Sequence, residues 1–311
     1  MIAVLLATYN GEAYLSEQID SILNQSYDDF KIYIHDDGST DQTRSIIDSY
    51  LCDYPDRIAY IDGPVFGSSK MNFLFLLEMI EADYYMFSDQ DDVWLPDKIE
   101  KNMKAILSID SNNDSPLLVF SDIMVVNENL SVIDESFMHY SQLDPNKLGF
   151  NWLVVENCAP GCSMMFNFKA RSEALKYKCC SNPECIRMHD WWLMLVVSAL
   201  GRIGYIDESL MLYRQHGNNS VGAGKDHGFN RILLKIWWVI SFTHITKTKN
   251  RIKRFVQQAT QLNVLCLSDE ANEIVSGLES FYKWNKIQRI RFFIRHRLYR
   301  TKRNIWQLIC L

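Results

Sequence analysis

No uninterrupted apolar run in this chain reaches the ~20 residues that a helix needs to cross a bilayer. The longest candidate, Ile232 to Phe242, is short and contains Lys235. Cysteine occurs eight times without a single CxxC pair, and Cys179 and Cys180 are adjacent. With no signal peptide ahead of the first predicted strand, this argues against a disulfide framework and against zinc; reduced thiols in a cytosolic protein are expected. Internal repeats, low-complexity linkers and a basic glycine-rich phosphate loop near the N-terminus are absent as well. The C-terminal part is poor in acid. Residues 231–311 hold 16 Lys+Arg against 4 Asp+Glu, whereas residues 1–230 hold 16 against 34. The formal net charge of −6 therefore hides an acidic body that carries a basic tail.

What is present is enough apolar material for a large core. Hydrophobic residues make up 48% and aromatics 13% of 311 residues, which excludes a disordered chain and suits one large domain or two small ones. Ile2–Leu6 is apolar without alternation, the pattern of a strand covered on both faces of a parallel sheet. A helix is predicted over Ala13–Gln25, a strand at Ile32–Ile34, and a helix ending near Cys52 whose start at Ser39 and Gln42 reads as a capping box. A strand near Ile58–Ile61, a helix over Lys70–Ile80 and a strand at Tyr84–Phe87 complete the series. This alternation predicts a doubly wound α/β sheet. Further on, strands are expected at Leu117–Phe120 and Ser163–Phe168. An apolar helix follows Asp190, then short strands at Tyr205–Ile206 and Leu210–Tyr213, and helices beyond Gly228.

Three carboxylates, Asp89, Asp91 and Asp92, follow the buried strand at Tyr84–Phe87. Like charges held together there are costly unless something positive binds them. Residues two apart on a strand share a face and stand ~6.6 Å apart along it, which suits a hard divalent cation holding a diphosphate. Asn10, Asp37 and Asp89–Asp92 all follow strand ends, where ligands of open α/β sheets bind.

Four motifs stand in register: Ala7-Thr8-Tyr9-Asn10-Gly11, His35-Asp36-Asp37-Gly38-Ser39-Thr40-Asp41, Ser88-Asp89-Gln90-Asp91-Asp92 and His189-Asp190-Trp191-Trp192. Together they resemble the family-2 glycosyltransferases, inverting enzymes of the GT-A fold. The segment Tyr213-Arg214-Gln215-His216-Gly217-Asn218-Asn219-Ser220-Val221-Gly222 is similar to the rhamnosyltransferase-like branch. The resemblance covers about residues 1–225 and implies a catalytic domain over 1–228, with a basic helical region over 229–311 outside it. It implies that Thr8, Tyr9 and Asn10 touch the nucleotide, that Asp37 accepts the N3–H of a pyrimidine, and that Lys70 lies near base or phosphate. Asp91 becomes the direct ligand of Mn²⁺ or Mg²⁺, with Asp89 near the ribose or the metal and His216 completing the site or contacting the diphosphate. Asp92 steadies the donor sugar or the loop, and Asp190 is the base that takes the acceptor proton. The local alternatives are turn chemistry for Asp36 and Asp37, a solvated Lys70, and a helix cap at Asp190. Asn157–Cys162 matches a loop near the acceptor, with Cys158 and Cys162 expected as small packing residues.

The implied reaction transfers a sugar from a nucleotide donor, best read as dTDP-L-rhamnose, to a glycan or lipid-linked acceptor of a cell-surface polysaccharide. A UDP-hexose donor, a nucleotidyltransferase and a silent scaffold stand as alternatives. In the tail, Ile287, Ile290, Phe293, Ile294 and Leu298 recur at helical spacing among Arg289, Arg291, Arg295, Arg297 and Arg300, and Ile305, Trp306, Leu308 and Ile309 extend the apolar side. Such a helix suits the inner leaflet of the cell membrane, where a cytoplasmic protein would sit peripherally, or packs on the catalytic domain. No nucleic-acid motif supports a third use.

Overall fold

Seven consecutive residues, Ile2–Thr8, form the first strand (β1), and every one is buried. The side chains divide by parity. Ala3, Leu5 and Ala7 enter one core with Phe73, Leu77 and Phe87, while Ile2, Val4 and Leu6 enter another with Leu15, Ile19 and Ile99. The unbroken apolar run thus marks a strand sandwiched between two helical layers, as expected.

The computed structural model describes residues 1–109, 114–180, 182–216 and 242–299. After β1 come α1 (Leu15–Leu23), β2 (Phe30–Asp36), α2 (Thr43–Asp53), β3 (Ile58–Tyr60), α3 (Ser69–Met79) and β4 (Tyr84–Ser88). Next are β5 (Val93–Trp94), α4 (Lys98–Ile109), β6 (Leu117–Asn127), β7 (Val132–Asp134), α5 (Phe137–Ser141) and α6 (Phe150–Leu153). Then follow β8 (Met164–Asn167), α7 (Phe168–Ala174), α8 (His189–Leu200) and β9 (Arg202–Gln215). The tail contributes α9 (Phe242–Thr260), α10 (Asp269–Ser280) and α11 (Lys286–Arg295). The sheet runs β3-β2-β1-β4-β8-β6-β9-β5, with β7 on β6. Its first half, β3 to β4, is all parallel; β8 enters antiparallel between β4 and β6, and β9 lies parallel to β6. This is the α/β fold expected, with antiparallel strands in its second half.

Two local expectations are corrected. The two short strands at Tyr205–Ile206 and Leu210–Tyr213 are one strand, β9, whose register on β6 slips between Ser121 and Asp122. Asp207 and Glu208 interrupt the apolar pattern at that irregularity, and the ladder resumes beyond it. The capping box at Ser39 and Gln42 does not form. The Ser39 hydroxyl bonds Asp36 instead, and α2 begins at Thr43, whose N–H donates to Asp41 Oδ1 at 3.0 Å.

The tail packs on the body. Phe255, Ile274, Leu278, Phe281, Phe293 and Leu298 share one buried core with Phe73, Leu195 and Phe166, so the apolar interior runs across the boundary expected at residue 228. Phe293 sits at the centre of that seam, its ring 6.0 Å from Phe255 and 5.8 Å from Phe281. Two other residues of the predicted stripe face outward: Ile287 is 63% and Ile294 56% exposed. No helix among the described residues is long and apolar enough to cross a membrane. Most of the Ile232–Phe242 run, Arg300 and the final apolar stretch from Ile305 lie outside the described residues.

Replacing Phe293 by alanine is expected to lower the unfolding free energy by about 3–5 kcal/mol in urea denaturation. A loss below about 1 kcal/mol would show that the tail rests on the body without stabilising it.

Candidate active site

The ends of β1, β2 and β4 and the start of α8 open onto one cavity of about 1290 Å³, lined by Thr8, Asn10, Asp37, Asp89, Asp91, Asp190 and His216 among others. Sequence-distant residues therefore meet at the carboxyl edge of the sheet.

At the end of β1 the backbone is held by Gln90. Its Oε1 accepts from Thr8 Oγ1 at 2.6 Å and from the Tyr9 N–H at 2.8 Å, and its Nε2 donates to the Tyr9 carbonyl at 3.0 Å. Gly11 lets this amide approach: a Cβ there would lie 2.5 Å from Gln90 Oε1. Asn10 adopts a left-handed φ of 48°, and its Oδ1 accepts from the Thr40 N–H at 2.9 Å, tying the first motif to the second. Tyr9 is exposed at the mouth.

Asp37 is buried at the cavity wall. Its carboxylate accepts the backbone N–H groups of Phe66 and Ser68, the latter at 2.9 Å. Each oxygen has a further lone pair, so the group stays able to accept from a ligand. Lys70 is placed otherwise. Its ammonium donates to the Ile186 carbonyl at 3.0 Å and lies 3.9 Å from Glu184, and it is not on the cavity wall.

The carboxylates after β4 are crowded. Withdrawal from solvent, then the charges of Asp91 and Asp190, push Asp89 up to about 7. Asp91 Oδ2 meets His216 Nε2 at 2.7 Å, and the imidazole lies 5.1 Å from the Tyr14 ring. Asp89, Asp91 and His216 line the cavity together, and carboxylate and imidazole groups are donors of the kind that Mn²⁺ or Mg²⁺ takes; among the described residues the ligand atoms that cluster most closely are instead those of Asp89, Asp92 and Cys162. Of the two places expected for Asp92, at the donor sugar or within the loop, the structure has the second: it is fully buried beneath the wall, where Oδ1 accepts the Arg214 N–H at 3.1 Å. Arg214 points away from the cavity too. Its guanidinium stacks over Tyr14 at 4.5 Å and donates to the Asp91 carbonyl at 2.8 Å, to the Glu128 carbonyl and to Glu17. Asn218 and Asn219 lie outside the described residues.

Asp190 stands in the first turn of α8, with Met188 rather than Asp190 as the N-cap. Its Oδ1 accepts from the Trp191 N–H at 2.6 Å and its Oδ2 from Asn157 Nδ2 at 3.3 Å. Burial pushes the carboxyl up to about 6, against the opposing pull of backbone N–H groups and Arg187. Next to it, His189 is wedged between Phe73 and Phe87, with ring centroids 4.2 and 4.7 Å away. Burial alone pushes it down to about 3, so it is neutral. Trp192 is wholly core and donates to Ala174 O at 2.8 Å; Trp191 lines the cavity while donating to Leu153 O at 2.6 Å.

Sequence reading left Gln90 and the clamp made by Arg214 aside, placed Asn157 only in a loop near the acceptor, and took Cys162 as a packing residue. The thiol of Cys162, expected only to pack, faces Asp89 and Asp92, with the three ligand atoms all within 4.8 Å of one another. Gln90 carried a signal in its place between Asp89 and Asp91, and Cys162 one in its spacing from Cys158, which by itself could suggest a metal. All seven described cysteines are free thiols.

Comparisons with known proteins bear on the family and the fold. The family model "Glycosyl transferase family 2" matches residues 3–171. The dTDP-rhamnosyl transferase RfbG of Shigella flexneri is 32% identical over 227 residues, covering 70% of this chain and 74% of that protein. Among solved structures, S. aureus TarS 1-349 in complex with UDP superposes with a TM-score of 0.51 at 14% identity, covering 92% of this chain and 73% of that one. Mannosyltransferase PcManGT of Pyrobaculum calidifontis, in complex with GDP-Man and Mn²⁺, gives a TM-score of 0.51 at 12% identity, covering 95% and 72%. These two likenesses concern the fold, which is that of GT-A enzymes. The match to the family model and the identity to a rhamnosyl transferase go further: the chain belongs to glycosyl transferase family 2 and is a glycosyltransferase.

Proposed function

We propose that the chain is a metal-dependent, inverting glycosyltransferase that moves L-rhamnose from dTDP-L-rhamnose to a glycan or lipid-linked acceptor of a cell-surface polysaccharide. The convergence of Asp37, Asp89, Asp91, Asp190 and His216 on one cavity carries this reading. The donor rests on the likeness to a dTDP-rhamnosyl transferase. Thr8, Tyr9 and Asn10 shape the nucleoside end, where Asp37 accepts the N3–H of the base. That contact does not separate thymine from uracil, so a UDP-hexose is the second reading. Lys70 and Asp92 act through the loops they hold rather than by touching the donor.

Asp91, Asp89 and His216 would hold the divalent ion, which when bound neutralises charge on the departing diphosphate. Asp190 takes the proton of the acceptor hydroxyl as its oxygen bonds the anomeric carbon and the bond to the diphosphate breaks on the opposite face. Asn157 and the Trp191 N–H orient that carboxylate. Burial holds it near the pH at which it must gain and lose a proton. A nucleotidyltransferase would need a glycine-rich phosphate loop that the N-terminal segment lacks, and a silent scaffold leaves these residues without a task.

The outer face of α11 presents Ile287 and Ile294 beside Lys286 and Arg291, in a tail with 16 basic and 4 acidic residues. That composition suits an anionic lipid surface, each cation near it contributing about 1 kcal/mol. Removing the tail at Gly228 is a poor test, because it would strip one side of the core.

Purified protein is expected to turn over dTDP-L-rhamnose with Mn²⁺ and to stop with EDTA or on Asp91→Ala; turnover of a UDP-sugar alone would keep the chemistry and overturn the donor. Asp190→Asn should lower kcat by about 10²–10⁴-fold. Because the base works ionised and its pKa is raised to about 6, wild-type kcat/KM should fall as pH drops through that value; a flat profile from pH 5 to 8 would remove Asp190 from this role. In flotation with phosphatidylglycerol vesicles, wild type should rise and Ile287→Ser/Arg291→Glu/Ile294→Ser should stay behind, and equal recovery of the two would refute membrane docking.

A further inference from the structure

One aromatic ring on the cavity wall has no part in the chemistry above. Tyr14 opens α1 as its N-cap, its N–H bonded to the Gly11 carbonyl at 3.0 Å. The helix turns Leu15, Ile19 and Ile22 into the sheet's core, but Tyr14 enters neither core. It stands half-buried at the cavity, where its ring meets two side chains from the end of β9. The Arg214 guanidinium lies 4.5 Å from the ring centroid, and the His216 imidazole lies 5.1 Å from it, tilted by 33°.

The periods of strand and helix explain this double contact. Arg214 and His216 are two apart where β9 ends, so they face one way from the chain. Tyr14 and Glu17 are three apart, so they share one face of α1, and Arg214 bonds Glu17 while it stacks on Tyr14. The start of α1 is thus the surface on which the end of β9 docks. Arg214 has further anchors there, since it also donates to the Asp91 and Glu128 carbonyls. His216 differs in what it presents to the cavity: its Nε2 meets Asp91 Oδ2 at 2.7 Å while the Tyr14 ring lies beside the imidazole. The outer torsion of a histidine side chain is broad, so a ring packed beside it narrows the directions Nε2 can take.

We propose that Tyr14 is a positioning residue of the cation site: its ring holds the His216 imidazole in the direction that meets Asp91. The inference rests on the metal reading given above. Removing a residue that orients a metal ligand lowers affinity by about 10–100-fold in known metal sites. The contacts belong to the ring, and neither uses the hydroxyl. Phenylalanine should therefore serve as well as tyrosine, whereas leucine, which fills space without a flat face, should not.

Mn²⁺ titrations followed by the EPR signal of the free ion test this without any substrate. Wild type, Tyr14→Phe, Tyr14→Leu, His216→Ala and the Tyr14→Leu/His216→Ala double variant are compared, with thermal unfolding as the check on folding. Because Tyr14 belongs to neither core, Tyr14→Leu is expected to unfold near the wild-type temperature, and Tyr14→Met repeats the test should leucine disturb α1. Tyr14→Leu should bind Mn²⁺ about tenfold or more weaker, and Tyr14→Phe within about twofold of wild type. In the His216→Ala background Tyr14→Leu should cost nothing further, because its effect runs through the imidazole. The proposal is overturned by wild-type affinity in a folded Tyr14→Leu protein, by an equal loss in Tyr14→Phe, or by a loss from Tyr14→Leu that persists without His216. Wild type that binds no Mn²⁺, or His216→Ala that binds it as tightly as wild type, would instead overturn the metal reading, and this inference with it.

Discussion

Like charge crowded into a space with little water is the constraint on which the rest of this molecule turns. Asp89, Asp91, Asp92 and Asp190 are brought together by the end of β4 and the start of α8, and withdrawal from solvent raises Asp89, Asp92 and Asp190 alike. The neighbouring architecture answers this charge. Arg214 binds the Asp91 backbone and Glu17, and the Trp191 N–H and Asn157 meet Asp190. His216 meets Asp91 from the cavity side. What the protein leaves to a ligand is the charge at the open face, where a divalent ion and a diphosphate would meet.

The sheet makes such crowding tolerable because it is rigid where the carboxylates are. β1 and β4 are covered on both sides, and their C-terminal ends are cross-tied by Gln90. The loop that carries Asp37 is tied to the loop after β3 by two backbone N–H groups. Side chains that must accept from a ligand are thereby held before it arrives, which is the electrostatic advantage of a preorganised site. The tail belongs to this rigid body. It closes the core below α8, the element that bears Asp190.

Strand-end chemistry was legible from residues alone, because apolar runs of period one announce a two-faced sheet and polar residues directly after them fall at its edge. Asp37, Asp89, Asp91, Asp190 and His216 came to the cavity as read. Lys70 and Asp92 did not, although both sit in the right motifs. Motif position says which loop a residue is on, and the direction of its side chain depends on what packs behind it. Ser39 makes the same point: the residue spacing of a capping box was present, but a nearer acceptor, Asp36, took the hydroxyl.

Local pattern, then, determined the family, the order of the elements and the positions of the acidic motifs, because each is written in neighbours along the chain. Only the tertiary structure decided that the tail shares one core with the sheet, that Arg214 is a clamp, that Lys98 is buried against Met211, and that a thiol lies beside Asp89 and Asp92. Those facts join residues such as Lys98, Cys162 and Met211, or Phe293 and Phe255, that are distant in sequence. Their burial, and with it the strength of every charge among them, exists only once the sheet has closed over them.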